Sequence, residues 1–166
     1  MLQFTYLIER RLIDMNQASI NQIWDDYLKI NPNAPTEYKA WAFGGSKEIA
    51  NLLAKLVLEG KKTATASNYI LYELENEELP FAGLINIILD GEGNAVAIAE
   101  TTSVEVVPFD EVTEEHAYLE GEGDRSLKRW REIHEAFFKN EFNGINQEFH
   151  YKMPVVCERF KVVFKK

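Results

Sequence analysis

Lys62 and Thr65 stand three residues apart in the run Gly60-Lys61-Lys62-Thr63-Ala64-Thr65-Ala66-Ser67, so an amine and a hydroxyl meet if the chain turns there. A threonine beside a proton-accepting amine is a nucleophile suited to acyl transfer. The role needs a lysine withdrawn from water, since an exposed one stays charged near neutral pH and is a poor base. On spacing alone, a solvated lysine beside a helix end and a threonine closing a turn is the plainer reading. Glu120 belongs to a stretch, 110–124, with seven acidic residues and no Lys or Arg, most of which must simply be solvated.

Other side chains carry the same double reading. Trp41 and Phe43 are able to stack on a base, worth about 1–3 kcal/mol, but aromatics flanking a turn also serve as core. Arg125, Arg129, Arg131 and Arg159 offer phosphate contacts, although Arg125 and Arg129 also answer the acidic run before them. Ser126 is a pocket hydroxyl or, more plainly, a helix cap. Cys157, in the run Val155-Val156-Cys157, reads as a buried small hydrophobe. His116, His134 and His150 lack the close spacing of metal-ligand pairs, so no metal is expected. Gly121 and Gly123 complete neither a phosphate loop nor a dinucleotide fingerprint, and no cofactor is expected.

The elements that must position these residues follow from periodicity. Ile20, Ile23, Trp24, Tyr27 and Leu28 form one apolar stripe of a helix over 16–29, which Asn31-Pro32-Asn33-Ala34-Pro35 ends. Ser46 caps a second helix through Ile49, Leu52, Leu53, Leu56 and Val57, and Gly60 stops it. Residues 83–89 and 95–108, rich in Val, Ile and Thr, predict adjacent antiparallel strands joined by a hairpin at 90–94. The acidic stretch reads as a helix-turn excursion over a sheet edge. A third helix puts Leu127, Trp130, Ile133, Phe137 and Phe138 on one stripe, and 154–164 alternates as a terminal strand through Val156, Glu158, Phe160 and Val162. Together these predict an α+β domain with a curved, mainly antiparallel sheet, whose segment 60–67 forms the lip of a polar cleft with Lys62 pointing inward.

A chain of 166 residues, 46% apolar and 12% aromatic, has the size and side-chain area for one core. Nothing marks a second domain, so residues 16–166 are expected to form it, with 1–15 an N-terminal extension. No stretch reaches the roughly 20 apolar residues that span a bilayer. The N-terminus has no secretory pattern, and Met15 offers a second start. One cysteine suits a reducing compartment, so a cytoplasmic location without membrane partners is expected. The net charge of -9 argues against tight, extended RNA binding and favours a local cleft or a small ligand.

The run 60–67 resembles the signature of the ASCH domain family: a Gly, a Lys two later, a Thr three after that and usually an Arg two further on. Here it reads Gly60, Lys62, Thr65 and Ser67, the last departing from the pattern. Larger, bacterial-type members are also resembled in Tyr38-Lys39-Ala40-Trp41-Ala42-Phe43-Gly44, in 109–117, in 120–127 through Trp130, Arg131 and His134, and in Cys157-Glu158-Arg159-Phe160. The resemblance implies a PUA-like fold, a small curved β-barrel flanked by helices, and RNA or a modified nucleoside as ligand. It implies further that Lys62 and Thr65, with Glu120 three residues after His116-Ala117, match the branch that hydrolyses the acetyl amide of N4-acetylcytidine. A non-catalytic RNA- or nucleoside-binding module and a ribonuclease are the alternatives, with Trp41, Phe43, Ser67, Arg125, Ser126 and Arg159 as substrate contacts.

Overall fold

The computed structural model describes residues 15–166, so the extension expected at the N-terminus falls almost wholly outside the described residues. Helix α1 (Gln17–Ile30) starts where the Asn16 side chain accepts the Ser19 amide, and its buried stripe is Ile20, Ile23 and Tyr27. Helix α2 (Lys47–Leu58) is capped by Ser46, which accepts the Ile49 amide, and buries Ala50, Leu53, Ala54 and Val57. The described residues also form five strands: β1 (Lys39–Ala42), β2 (Ala64–Asn68), β3 (Ile85–Leu89), β4 (Ala95–Pro108) and β5 (Pro154–Lys165).

The sheet runs in the order β1-β3-β4-β5-β2 and curls into a half-barrel. Only the β1–β3 pair is parallel; β3–β4, β4–β5 and β5–β2 are antiparallel. The predicted hairpin at 90–94 is present, held by Asp90, whose carboxylate accepts the amides of Glu92 and Asn94. Ile85, Ile87 and Leu89 pack with α1 on one face of the sheet, while Ile88, Ala97, Ala99 and Phe160 pack with Phe43 and α2 on the other.

Among the described residues there are also three short pieces: α3 (Tyr69–Glu75), a 3-10 turn at Phe109–Glu111 and α4 (Glu114–Glu120). Helix α5 (Leu127–Gly144) then lies over a cluster of Phe109, Trp130, Phe138, Met153 and Val155. Its buried stripe is Trp130, His134, Phe138, Glu141 and Phe142, rotated from the expected one, so Phe137 and Ile133 are only half-buried. The expected α+β class and curved sheet are both present; β1 and α3 are elements that periodicity did not reveal. Among the described residues no helix is long and apolar enough to cross a membrane.

Candidate active site

Gly60 adopts φ +73°, a left-handed residue just past the end of α2. The Leu56 carbonyl then accepts both the Lys61 and Lys62 amides, at 2.9 and 3.1 Å, and the chain reverses toward the interior. Thr63 ties the segment on two sides: its amide donates to Leu119 O at the end of α4, and its carbonyl accepts the Phe160 amide of β5. Gly121, at φ +75°, closes the opposite wall, because a Cβ there would collide with the Lys61 carbonyl.

These contacts bury Lys62 to 1% exposure. Its Nζ donates to Glu122 Oε2 at 3.2 Å and to the Glu120 carbonyl at 3.4 Å, and it lies 3.7 Å from Glu120 Oε2. Glu120 is equally buried and faces two imidazoles, His116 Nε2 at 2.9 Å and His134 Nε2 at 3.1 Å. His134 Nδ1 must donate to the Trp130 carbonyl, 2.9 Å away, since a carbonyl only accepts. A second N–H, on Nε2, then suits the carboxylate, and the imidazolium stacks on the Trp130 ring at 4.1 Å.

Burial alone pushes the Glu120 carboxyl upward, but the charges of His134 and Lys62 and hydrogen bonds from both histidines outweigh it. The group is held well below the usual carboxylate range. Burial likewise opposes charge on His134, yet the Glu120 carboxylate and, more weakly, Glu122 raise it above its ordinary value. Glu122 is pushed up, chiefly by burial, with Glu120 adding to the effect against the opposing charge of Lys62. Glu120, Glu122 and His134 each bring a ligand atom within 4.8 Å of the others, a metal-like grouping that the histidine spacing did not suggest. Lys62 Nζ already supplies a cation against both carboxylates there.

A cavity of about 110 Å³ opens next to this cluster, walled by Trp41, Phe43, Thr65, Ser67, Tyr72 and Glu158 among others. Lys62 and Glu120 do not line it. Lys62 Nζ sits 5.1 Å from the centre of the Phe43 ring, which does. Of the segment 60–67, Thr65, Ala66 and Ser67 reach the wall, whereas Lys62 lies beneath it rather than pointing inward from a lip.

A chain of hydrogen bonds links three residues of the cavity wall, Trp41, Asn86 and Glu158, through the buried Thr101. Trp41 Nε1 donates to Asn86 Oδ1 at 2.9 Å, Asn86 Nδ2 to Thr101 Oγ1 at 3.0 Å, and Thr101 Oγ1 to Glu158 Oε1 at 2.6 Å. Glu158 is the cross-strand partner of Thr65. Strands β1, β3, β4, β5 and β2 thus each present one of these five side chains.

Three expected contacts lie elsewhere. Arg125 stacks 3.7 Å over Tyr118 and donates to the carbonyls of Tyr118 and Lys61, a clasp on the turn made possible by its own φ of +64°. Ser126 caps α5 by accepting the Arg129 amide. Arg159 pairs with Glu115. Cys157 is buried, with its thiol pushed up to about 12, chiefly by burial.

Sequence reasoning missed His116, His134 and Glu122 in the cluster of Lys62 and Glu120, Asn86, Glu141 and Glu158 at the cavity wall, and Thr101 behind it. Two signals were present: His116 and Glu120 are four apart on a helix, and Glu158 is the one acid on the apolar face of its strand.

The α+β half-barrel thus carries a buried lysine just after a glycine-ended helix and a threonine three residues on at a cavity wall. The profile of the ASCH domain matches residues 39–164, and the chain belongs to that family. Among solved structures it is similar to the ASCH domain from Lactobacillus crispatus, with 33% identity, a TM-score of 0.84, and coverage of 90% of this chain and 96% of that one. It is also similar to protein EF3133 from Enterococcus faecalis, with 38% identity, a TM-score of 0.82 and 89% of each chain covered. No curated protein matches the sequence.

Proposed function

We propose that the cavity takes a base of RNA or a modified nucleoside, and that Thr65, Lys62 and Glu120 hydrolyse an acyl amide there, such as that of N4-acetylcytidine. ASCH domains in general bind RNA. The observation that carries the hydrolytic reading is the burial of Lys62 and Glu120 against each other across 58 positions of sequence, behind the Phe43 ring of a cavity whose wall includes Thr65.

In this reading the Lys62 ammonium first gives a proton to Glu122; the resulting amine takes the Thr65 Oγ1 proton as that oxygen attacks the acyl carbon, and the re-formed ammonium returns the proton to the leaving amine as the C–N bond breaks. Water then hydrolyses the acyl-threonine ester, releasing the carboxylic acid and restoring Thr65. Glu122, 3.2 Å from Nζ and with its carboxyl pushed up by burial, is placed to exchange a proton with the amine. Glu120 holds the amine and the two imidazoles in register.

One observation favours a second reading, a binding module without chemistry: the Lys62 amine is engaged by two glutamates and lies outside the cavity lining. The ribonuclease alternative loses support, since Lys39 is the only basic side chain among the described residues lining the cavity.

The test is release of acetate from N4-acetylcytidine, read by mass spectrometry. Thr65→Ala should abolish turnover with the fold intact, Thr65→Ser should retain part of it, and Lys62→Ala should abolish turnover while also lowering stability, because it leaves two buried glutamates without their cation. Nucleoside binding without turnover in the wild type would leave the binding module. Cleavage of RNA that depends on Lys62 but not on Thr65 would install the nuclease.

A further inference from the structure

We infer that Glu158 is the specificity-determining residue of the cavity, and that it selects a flat heteroaromatic ring carrying an exocyclic N–H over one carrying a carbonyl at the same place. The inference rests on the reading of the cavity as a nucleobase site and deepens it.

The warrant is the polarity of the hydrogen-bond chain. The indole N–H of Trp41 is a donor and nothing else, so the atom facing it in Asn86 is the amide oxygen. The Asn86 nitrogen is therefore turned to Thr101, which accepts, at 3.0 Å. With its oxygen receiving that bond, the Thr101 hydroxyl gives its own hydrogen to Glu158 Oε1, at 2.6 Å. In each of these three bonds the donor lies on the Trp41 side and the acceptor on the Glu158 side, and Glu158 Oε1 accepts the last of them.

Asn86, Thr101 and Glu158 are all buried, so their orientation is set by these bonds rather than by water. Glu158 is buried to 6% yet forms part of the cavity wall, on the strand position opposite Thr65. Side chains so paired across an antiparallel ladder have Cβ atoms about 5 Å apart, which brings a ring held by Glu158 beside the Thr65 hydroxyl. Trp41, Phe43 and Tyr72 in the walls suit a flat ring, and Glu141 adds a second acidic side chain. An N–H of an amino or amide group is drawn to this acceptor-rich wall. A carbonyl in its place sets lone pairs against lone pairs, which costs a buried polar group its partner.

Cytidine and uridine differ by this exchange, so the experiment is calorimetric titration of the full chain with each. Cytidine should bind about tenfold or more tightly than uridine. Glu158→Gln, whose amide is able to donate, should erase or reverse the preference. Thr101→Val, which leaves the carboxylate but removes the bond that fixes its polarity, should shrink it and provides the result if Glu158→Gln does not fold. Equal binding of the two nucleosides by the wild type, or a preference unchanged in the variants, overturns the assignment. Preference without hydrolysis sinks only the hydrolytic reading, hydrolysis without preference sinks only this one, and binding of neither nucleoside removes the nucleobase site beneath it.

Discussion

Lys62 and Glu120 are each 1% exposed, and an isolated charge so placed would cost far more than the fold can supply. They persist because two imidazoles and a second glutamate complete the set. Glu120→Gln keeps the volume but strips the counter-charge from Lys62 and His134. It should lower stability by about 3–5 kcal/mol, measured by urea denaturation. The titrations give this cluster a pH window. Glu120 is held below 4.5 in the fold, so its contribution is complete above that value and is lost as pH falls through the folded value. His134 is raised above 6.5, so its contribution is complete below 6.5 and fades as pH rises through the folded value. Thermal stability should therefore decline on both sides, and Glu120→Gln should flatten the profile on each. A wild-type midpoint independent of pH would show the cluster to be uncoupled from folding. At this scale the sequence was legible in part. Family resemblance marked Lys62, Thr65 and Glu120, but the histidines around them come from two helices and meet only in three dimensions. Arg125, Ser126 and Arg159 serve a turn, a helix cap and an ion pair and do not line the cavity, and a charged or polar residue near a motif gives no sign of which backbone carbonyl or helix end it serves.

At the scale of elements, α4 and the turn after α2 are fitted to each other at one glycine. Gly121→Ala forces a left-handed residue that costs on the order of 1–3 kcal/mol and drives a methyl group into the Lys61 carbonyl. Stability should fall by at least that much, and any activity assigned to Lys62 should fall with it; unchanged melting would mean that the two segments separate readily. Helix α5 offers a paired comparison. Phe138→Ala, in the core cluster, should cost about 3–5 kcal/mol. Phe137→Ala, half-buried at the cavity wall, should cost less while weakening ligand binding. Helices α1, α2 and α5 were readable because each buries one stripe and begins at a capping side chain. The stripe of α5 was misassigned since His134 and Glu141 face inward, and polar residues there break the apolar count. Strand β1 was unreadable: it has four residues and its partner β3 lies more than forty positions away, so no local pattern announces the pairing. Helix α3 is seven residues long, too short for periodicity.

For the whole molecule, a net charge of -9 and a cavity with two glutamates among its lining set the kind of ligand. A protein making six to ten phosphate contacts loses about 1,000- to 100,000-fold in affinity between 50 and 200 mM salt. A nucleoside bound by stacking and by Glu158 should show almost none of that dependence. Nucleoside affinity measured over the same range should stay within about twofold, and longer RNA should add little to it. A steep salt slope would reveal a basic path that the cavity walls do not contain.

The pairing of Lys62 with Glu120 also bears on time. The two residues are 58 positions apart, and their contact requires β2, α4 and α5 to be in place together. Closing so long a loop is entropically costly, and shedding water from five ionisable groups is favourable only once all of them are present. The cluster should therefore form after the main folding barrier, in contrast to the hairpin at 90–94. In stopped-flow experiments Glu120→Gln should speed unfolding and leave the refolding rate nearly untouched, making the cluster a lock on the native state rather than a guide toward it.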